Sequence, residues 1–300
     1  MASILSINNI SKSYGRIHAL KNVSFDVPAG SVYGILGPNG SGKTTLLGVV
    51  MDVLQAKSGT YSWFGNPPSE KQRRDIGTLL ETPNFYHYLS AARNLEISAS
   101  IKHTSGEDIH RVLKLVRLYE RKDSKFQTFS LGMKQRLAIA ACLLGDPAVL
   151  VFDEPTNGLD PSGIAEIRQL IIDLAKSGKT IILASHLLAE VEKVCTHVAI
   201  LQQGSLLKSG EVVSVLSQEE WLELGAVDME KLREVLNHFP GVKKIRASDN
   251  YFQLYFNGAA PAAGEINRFC FDQGILLNQL QVRKKSLESA FIEITNNVSN

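Results

Sequence analysis

Three hundred residues are more than one average domain needs and suit two. With 44% hydrophobic and 21% charged residues, the composition excludes a disordered or fibrous chain and leaves enough apolar material for a sizeable core. A net charge of +2 without a long basic stripe gives no indication of nucleic acid. The three scattered cysteines, Cys142, Cys195 and Cys270, read as buried apolar residues in a reducing compartment.

The opening residues Met1 to Ser6 do not form a signal peptide. From Ser3 to Tyr14 apolar and polar residues alternate, which predicts a strand, and Val23–Val27 alternates again before the turn residues Pro28-Ala-Gly30. Tyr14 follows the first strand; an aromatic there is a core residue or a platform for a flat base, and on this stretch alone it reads as core. Ser31–Leu36 is a buried strand, and a helix is predicted from Thr44 to Met51. Between them lies Gly37-Pro38-Asn39-Gly40-Ser41-Gly42-Lys43-Thr44, which fits the phosphate-cradling pattern G-x-x-x-x-G-K-[ST] in its required strand-to-helix context. Its glycines admit positive φ and bring backbone N–H groups close to a polyphosphate. The helix start adds a positive dipole end, Lys43 a point charge, and the Thr44 hydroxyl a Mg²⁺ ligand.

Short strands are predicted at Gly59–Gly65 and Asp75–Leu80. From Asn84 to Lys125 helical periodicity takes over, with Ile109, Val112, Leu113 and Val116 on one face, and a helical subdomain of about residues 84–145 interrupts the α/β pattern. The run Leu137–Leu144, the longest apolar one, falls well short of the ~20 residues of a membrane span. Ser130-Leu-Gly132 opens another helix. On its own it reads as an ordinary capped helix, although a Ser cap followed by Gly is also a place where an anion can approach. Ala148 to Phe152 is a continuous apolar run ending in Asp153-Glu154, the pattern of a parallel strand buried on both faces with its ligand groups at the carboxyl end. Asp153 is suited to hold Mg²⁺ through water and Glu154 to deprotonate an attacking water. Thr180–Ser185 repeats the design and delivers His186. Ser177-Gly-Lys-Thr180 imitates a second phosphate loop, but it runs from helix into strand and reads as a helix end.

Beyond residue 215 the predicted order is strand 221–227, helix 229–239, strands 242–247 and 251–256, helix 263–273 and strand 275–283. This is the βαββαβ of a ferredoxin-like α+β domain. A last helix spans Ser286–Thr295. The short basic runs Lys71–Arg74 and Arg283–Lys285 read as solvated faces, and no catalytic residue types cluster after residue 215. The expected domains are therefore 3–215 and 216–300, the second an interaction or regulatory domain.

Taken together and in this order, the phosphate loop, the Ser130 octet, the Asp153-Glu154 strand and His186 resemble the ATP-binding subunit of an ABC transporter. Among subfamilies the chain is most similar to bacterial exporter ATPases with a separate membrane subunit, the group serving antibiotic and lantibiotic resistance and gliding motility. The resemblance implies an α/β P-loop NTPase fold of the ABC type, with ATP and Mg²⁺ as cofactors. It implies that Tyr14 stacks on adenine, that Gly37 to Thr45 form the Walker A loop, and that Asp153 and Thr44 serve the metal. Glu154 becomes the catalytic base, His186 the switch histidine, and Asp160 the D-loop residue that crosses to a partner. Ser130 and Gly132 fall at the signature positions that contact a nucleotide bound by the other subunit. Two copies, a homodimer, would close head to tail on two ATP molecules and drive an integral membrane permease, on the cytoplasmic face of the cell membrane.

Two positions depart from the family pattern. The signature reads Phe129-Ser-Leu-Gly-Met133, and the Q-loop position holds Glu81, which offers an oxygen toward Mg²⁺ but adds negative charge beside a triphosphate. Slower or differently gated hydrolysis is the expectation. The rival readings are a soluble ABC ATPase unconnected with transport and a nucleotide-gated scaffold whose binding function lies in residues 215–300.

Overall fold

The computed structural model describes residues 2–80, 84–215, 220–248, 250–257, 261–284 and 286–296. The chain divides into two compact units, residues 1–215 with 293–300 and residues 216–292.

In the first unit β1 (Ser3–Tyr14), β2 (Ile17–Pro28), β3 (Val32–Leu36), α1 (Lys43–Val50) and β4 (Ser58–Trp63) are followed by α2 (Glu70–Arg74) and β5 (Ile76–Leu79). Then come α3 (Ala91–Lys102), α4 (Glu107–Leu115), two single 3₁₀ turns and α5 (Leu131–Leu143). The unit continues through β6 (Val149–Asp153), α6 (Pro161–Lys176), β7 (Thr180–Ser185), α7 (Leu188–Val194), β8 (His197–Gln202), β9 (Ser205–Glu211) and α8 (Val212–Val215).

Two sheets organise this unit. β2-β1-β4 is antiparallel, while the larger sheet runs β5-β6-β7-β3-β8-β9, parallel except for the last pair. Every residue of β3, β6 and β7 is buried, as their continuous apolar runs require. Helix α1 belongs to the core between the sheets: Leu46 and Leu47 share one cluster with Ile7, Phe25, Ile35, Val151 and Trp63. The Trp63 indole, fully buried, donates to Val50 O at the end of α1 over 2.8 Å, so its polar atom is satisfied where water is excluded. The element carrying the phosphate loop is thus anchored at both ends.

Several boundaries differ from the sequence expectation. Helix begins at Ala91, not near Asn84. The buried Asn94 side chain accepts from Tyr86 N (2.8 Å) and donates to Tyr86 O (3.1 Å) and Ser90 O (3.0 Å), giving that backbone partners outside a helix. β2 starts six residues earlier than its clear alternation, because it pairs with β1 down to Tyr14↔Ile17, which makes Tyr14 the last residue of a strand. Ile109, Val112, Leu113 and Val116 are all buried as the periodicity requires. The imitation loop is a helix end: Gly178, at φ 90°, donates to Ala175 O, and Lys179 bonds Asp146 and Pro147 O.

The second unit comprises β10 (Glu220–Ala226), α9 (Met229–Asn237), β11 (Val242–Ala247), β12 (Phe252–Phe256), α10 (Ala263–Asp272), β13 (Leu277–Lys284) and α11 (Leu287–Asn296), whose last residues group with the first unit. Its antiparallel sheet runs β11-β12-β10-β13, the strand order of a split βαβ. Leu222, Leu224 and Leu254 from the sheet pack with Leu232, Leu236, Ile266 and Cys270 from α9 and α10 in a separate core. Arg283 is exposed, as its solvated run predicts, and from there donates to the nearly buried Glu223 carboxylate over 3.0 Å. All three cysteines are buried free thiols. Among the described residues no helix is long and apolar enough to cross a membrane.

Candidate functional site

The parallel topology brings the carboxyl ends of β6, β7 and β3 side by side, and each delivers functional side chains there. From β3 the chain enters the loop Gly37–Gly42 and then α1. Gly42 is held at φ 107°, and a Cβ on it would lie 2.6 Å from Ala19 O, so both conformation and crowding demand glycine. A Cβ on Gly37 would collide with Leu201 O and the Ser41 hydroxyl. The loop is braced from outside as well, since Gly204 N donates to Ser41 O over 3.0 Å. Ser41 Oγ is buried and has no hydrogen-bond partner among the described residues.

Lys43, only 6% exposed, donates to Gly37 O (2.8 Å) and Pro38 O (3.3 Å), and its ammonium lies 3.4 Å from Glu154 Oε1. Glu154 directly follows β6 and is held in the left-handed region at φ 48°, while its N–H still bonds Ala184 O on β7 (3.0 Å). A non-glycine residue in that conformation costs about 1–2 kcal/mol, and the bend is what turns the carboxylate from the sheet toward the loop. Its second oxygen, Oε2, lies 2.9 Å from Nδ1 of His186, the residue just beyond β7. One carboxylate is therefore shared by a lysine from the phosphate loop and a histidine from the neighbouring strand end. Asp153, the last residue of β6, is 6% exposed.

These groups border a cleft of about 630 Å³ lined by Tyr14, Asn39, Gly40, Gly42, Lys43, Thr44, Thr45 and Glu154. Tyr14 is 47% exposed, so the core reading of its own stretch is corrected: the ring closes the end of the strand pair in solvent. Ile17, His18, Ala19, Lys21 and Gln203 line the same cleft. The sequence reading missed them because nothing in residues 16–21 marks a site. The β1–β2 register sets Ile17 opposite Tyr14 and His18 opposite Ser13, and the turn between β8 and β9 brings in Gln203.

Ser130, Gly132 and Asp160 do not join this cleft. The Ser130 hydroxyl caps α5 by accepting from Met133 N (3.3 Å), and Asp160 caps α6 by accepting from Gly163 N (3.0 Å). These two helix starts adjoin each other: a Cβ on Gly158 would lie 3.2 Å from Leu131, and one on Gly132 would meet only Leu159, at 4.0 Å. Ser130 and Asp160 are exposed. Glu81 lies outside the described residues.

Chemically, the cleft fits a nucleoside polyphosphate. It combines a glycine cradle that side chains would obstruct, a nearly buried ammonium at a helix start, and an exposed aromatic ring at its rim. Thr44 lines the cleft and Asp153 ends β6; a hydroxyl and a carboxylate are oxygen donors of the type Mg²⁺ takes alongside phosphate oxygens.

Comparison with known proteins agrees with this chemistry. Residues 20–157 match the family described as ABC transporter. The bacitracin transport ATP-binding protein BcrA of Enterococcus faecalis is 31% identical over 300 residues, covering 98% of this chain and 97% of that protein. The lantibiotic transport ATP-binding protein SrtF of Streptococcus pyogenes is 38% identical over 208 residues, 69% of this chain and 91% of its own. Among solved structures, a dimeric ATP-binding cassette in a post-hydrolysis state bound to ADP and Pi superposes with a TM-score of 0.63 at 26% identity, covering 69% of this chain and 98% of that one.

Proposed function

The chain belongs to the ABC transporter ATP-binding family, and on that premise we propose that it is the motor of an exporter, two copies closing on two ATP molecules. Lys43 and the N–H groups of Gly40 to Thr45 would bind the β- and γ-phosphates, with Tyr14 beneath the adenine. Mg²⁺, held by Thr44 and through water by Asp153, would neutralise charge on the phosphates. Glu154 would take a proton from the attacking water.

The observation that carries this reading is the shared Glu154 carboxylate, 3.4 Å from Lys43 Nζ and 2.9 Å from His186 Nδ1. With Nδ1–H donating to Glu154, the other ring nitrogen donates to a γ-phosphate oxygen only as imidazolium. His186 therefore couples the base to the phosphate it helps to cleave. The exposed start of α5, with Ser130 and Gly132, would meet the γ-phosphate held by the other copy, and Asp160 would face the same junction. The dimeric form of a structural neighbour supports this arrangement. The names of BcrA and SrtF support peptide-antibiotic export, through an integral membrane permease at the cytoplasmic face. No role for nucleic acid is proposed.

The test is Mg²⁺-dependent ATP hydrolysis by the purified chain and by Glu154→Gln. The variant should keep ATP binding, lose at least about 100-fold in turnover, and elute as an ATP-dependent dimer in size-exclusion chromatography. Undiminished turnover in Glu154→Gln would assign the base elsewhere.

A further inference from the structure

Tyr14 closes a strand and leaves 47% of its surface exposed, so little around it fixes the ring's orientation. A side chain that must accept a flat base gains from being fixed beforehand, because ordering it on binding costs affinity. Lys12 supplies that constraint. It stands two residues before Tyr14 on β1, on the same face of the sheet. Its Nζ lies 5.4 Å from the ring centroid. Tyr14 lines the cleft and Lys12 does not, so the ammonium contacts the ring without itself bordering the cleft. The ammonium is itself tethered, donating to Gln55 O over 2.6 Å.

We propose that Lys12 is a positioning residue for the base of the bound nucleotide, holding the Tyr14 ring as a fixed, electron-depleted platform. The inference rests on the reading that the cleft takes ATP with adenine on Tyr14. An ammonium over one face of an aromatic ring is attracted by the ring's quadrupole and draws π density toward itself. A purine stacked on the opposite face would then be repelled less. The same contact restricts rotation of the ring, so order and polarisation act together on the base and leave the triphosphate untouched.

The experiment measures dissociation constants for ATP and for inorganic tripolyphosphate on the full-length chain by titration calorimetry. Lys12→Met keeps the aliphatic stem and removes the charge. It should weaken ATP about three- to fivefold, the size of an exposed cation–π contact, and leave tripolyphosphate affinity in place. Lys12→Arg should restore ATP affinity, and in a Tyr14→Leu background Lys12→Met should have no further effect. Equal loss of both ligands would overturn the proposal and reduce Lys12 to a staple between β1 and the chain at Gln55. So would a full effect in the Tyr14→Leu background, or no effect at all. Wild-type protein that binds tripolyphosphate as tightly as ATP would remove the base platform itself, and with it the reading of the cleft.

Discussion

Glu154 and Glu223 show how differently two carboxylates of one chain are used. Glu154 is bent out of its strand and left partly accessible, 20% exposed, between two groups of a reactive cleft. Glu223 sits inside the second unit's sheet, 8% exposed. Burial works to raise its pKa, but hydrogen bonds from Arg283, Trp221 and Gln253 outweigh that and hold it below the usual glutamate value. A depressed carboxylate stabilises the fold above its unfolded pKa, and that contribution is lost as pH falls through the folded value. Glu223→Gln should therefore lower stability by about 1–2 kcal/mol at pH 7, with Arg283 half in solvent keeping the figure modest. Denaturant unfolding at pH 7 and pH 3.5 should show the gap closing at the lower pH. Such a pair was illegible in the sequence, because its members lie 60 residues apart on adjacent strands and no local pattern marks them. Gly37 to Thr44 was legible for the opposite reason: one contiguous loop carries glycines, lysine and hydroxyl in fixed order.

At the scale of elements, the start of α5 leaves open space at Gly132. Gly132 has ordinary backbone geometry and only one atom, Leu159 Cδ2 at 4.0 Å, within reach of an added Cβ. Its glycine is thus not required by this chain's own folding. Gly132→Asp should melt within a degree or two of wild type in differential scanning fluorimetry, yet placed in Glu154→Gln it should abolish the ATP-dependent dimer. A dimer that survives would mean that this surface does not meet a nucleotide. Element types were mostly readable, since period-2 and period-3.6 patterns and continuous buried runs each follow from how the element is covered. Boundaries failed where a side chain intervened, as Asn94 does before α3, or where pairing extended a strand, as β1 does for β2. The adjacency of Ser130 and Asp160 needed the fold, because nothing local joins residue 131 to residue 158.

For the molecule as a whole, each unit has its own core, and every residue described at the cleft belongs to the first. A chain of residues 1–215 should accordingly bind ATP with a dissociation constant within about threefold of full length, since every cleft-lining residue and the core cluster beneath it lie within that span. Calorimetric titration decides this, and a loss of tenfold or more would mean that the later residues shape the cleft. The larger sheet carries a further consequence for synthesis. β3 leaves the ribosome early, yet its two neighbours, β7 and β8, begin only at Thr180 and His197. At about 5–20 residues per second, a fully apolar strand waits roughly 10–30 s for its partners. During that interval the nascent chain offers chaperones an unpaired hydrophobic segment, and the phosphate loop lacks the Gly204 N–H that bonds Ser41 O. ATP capture would thus follow the joining of β8 to β3, well before the last residue is added.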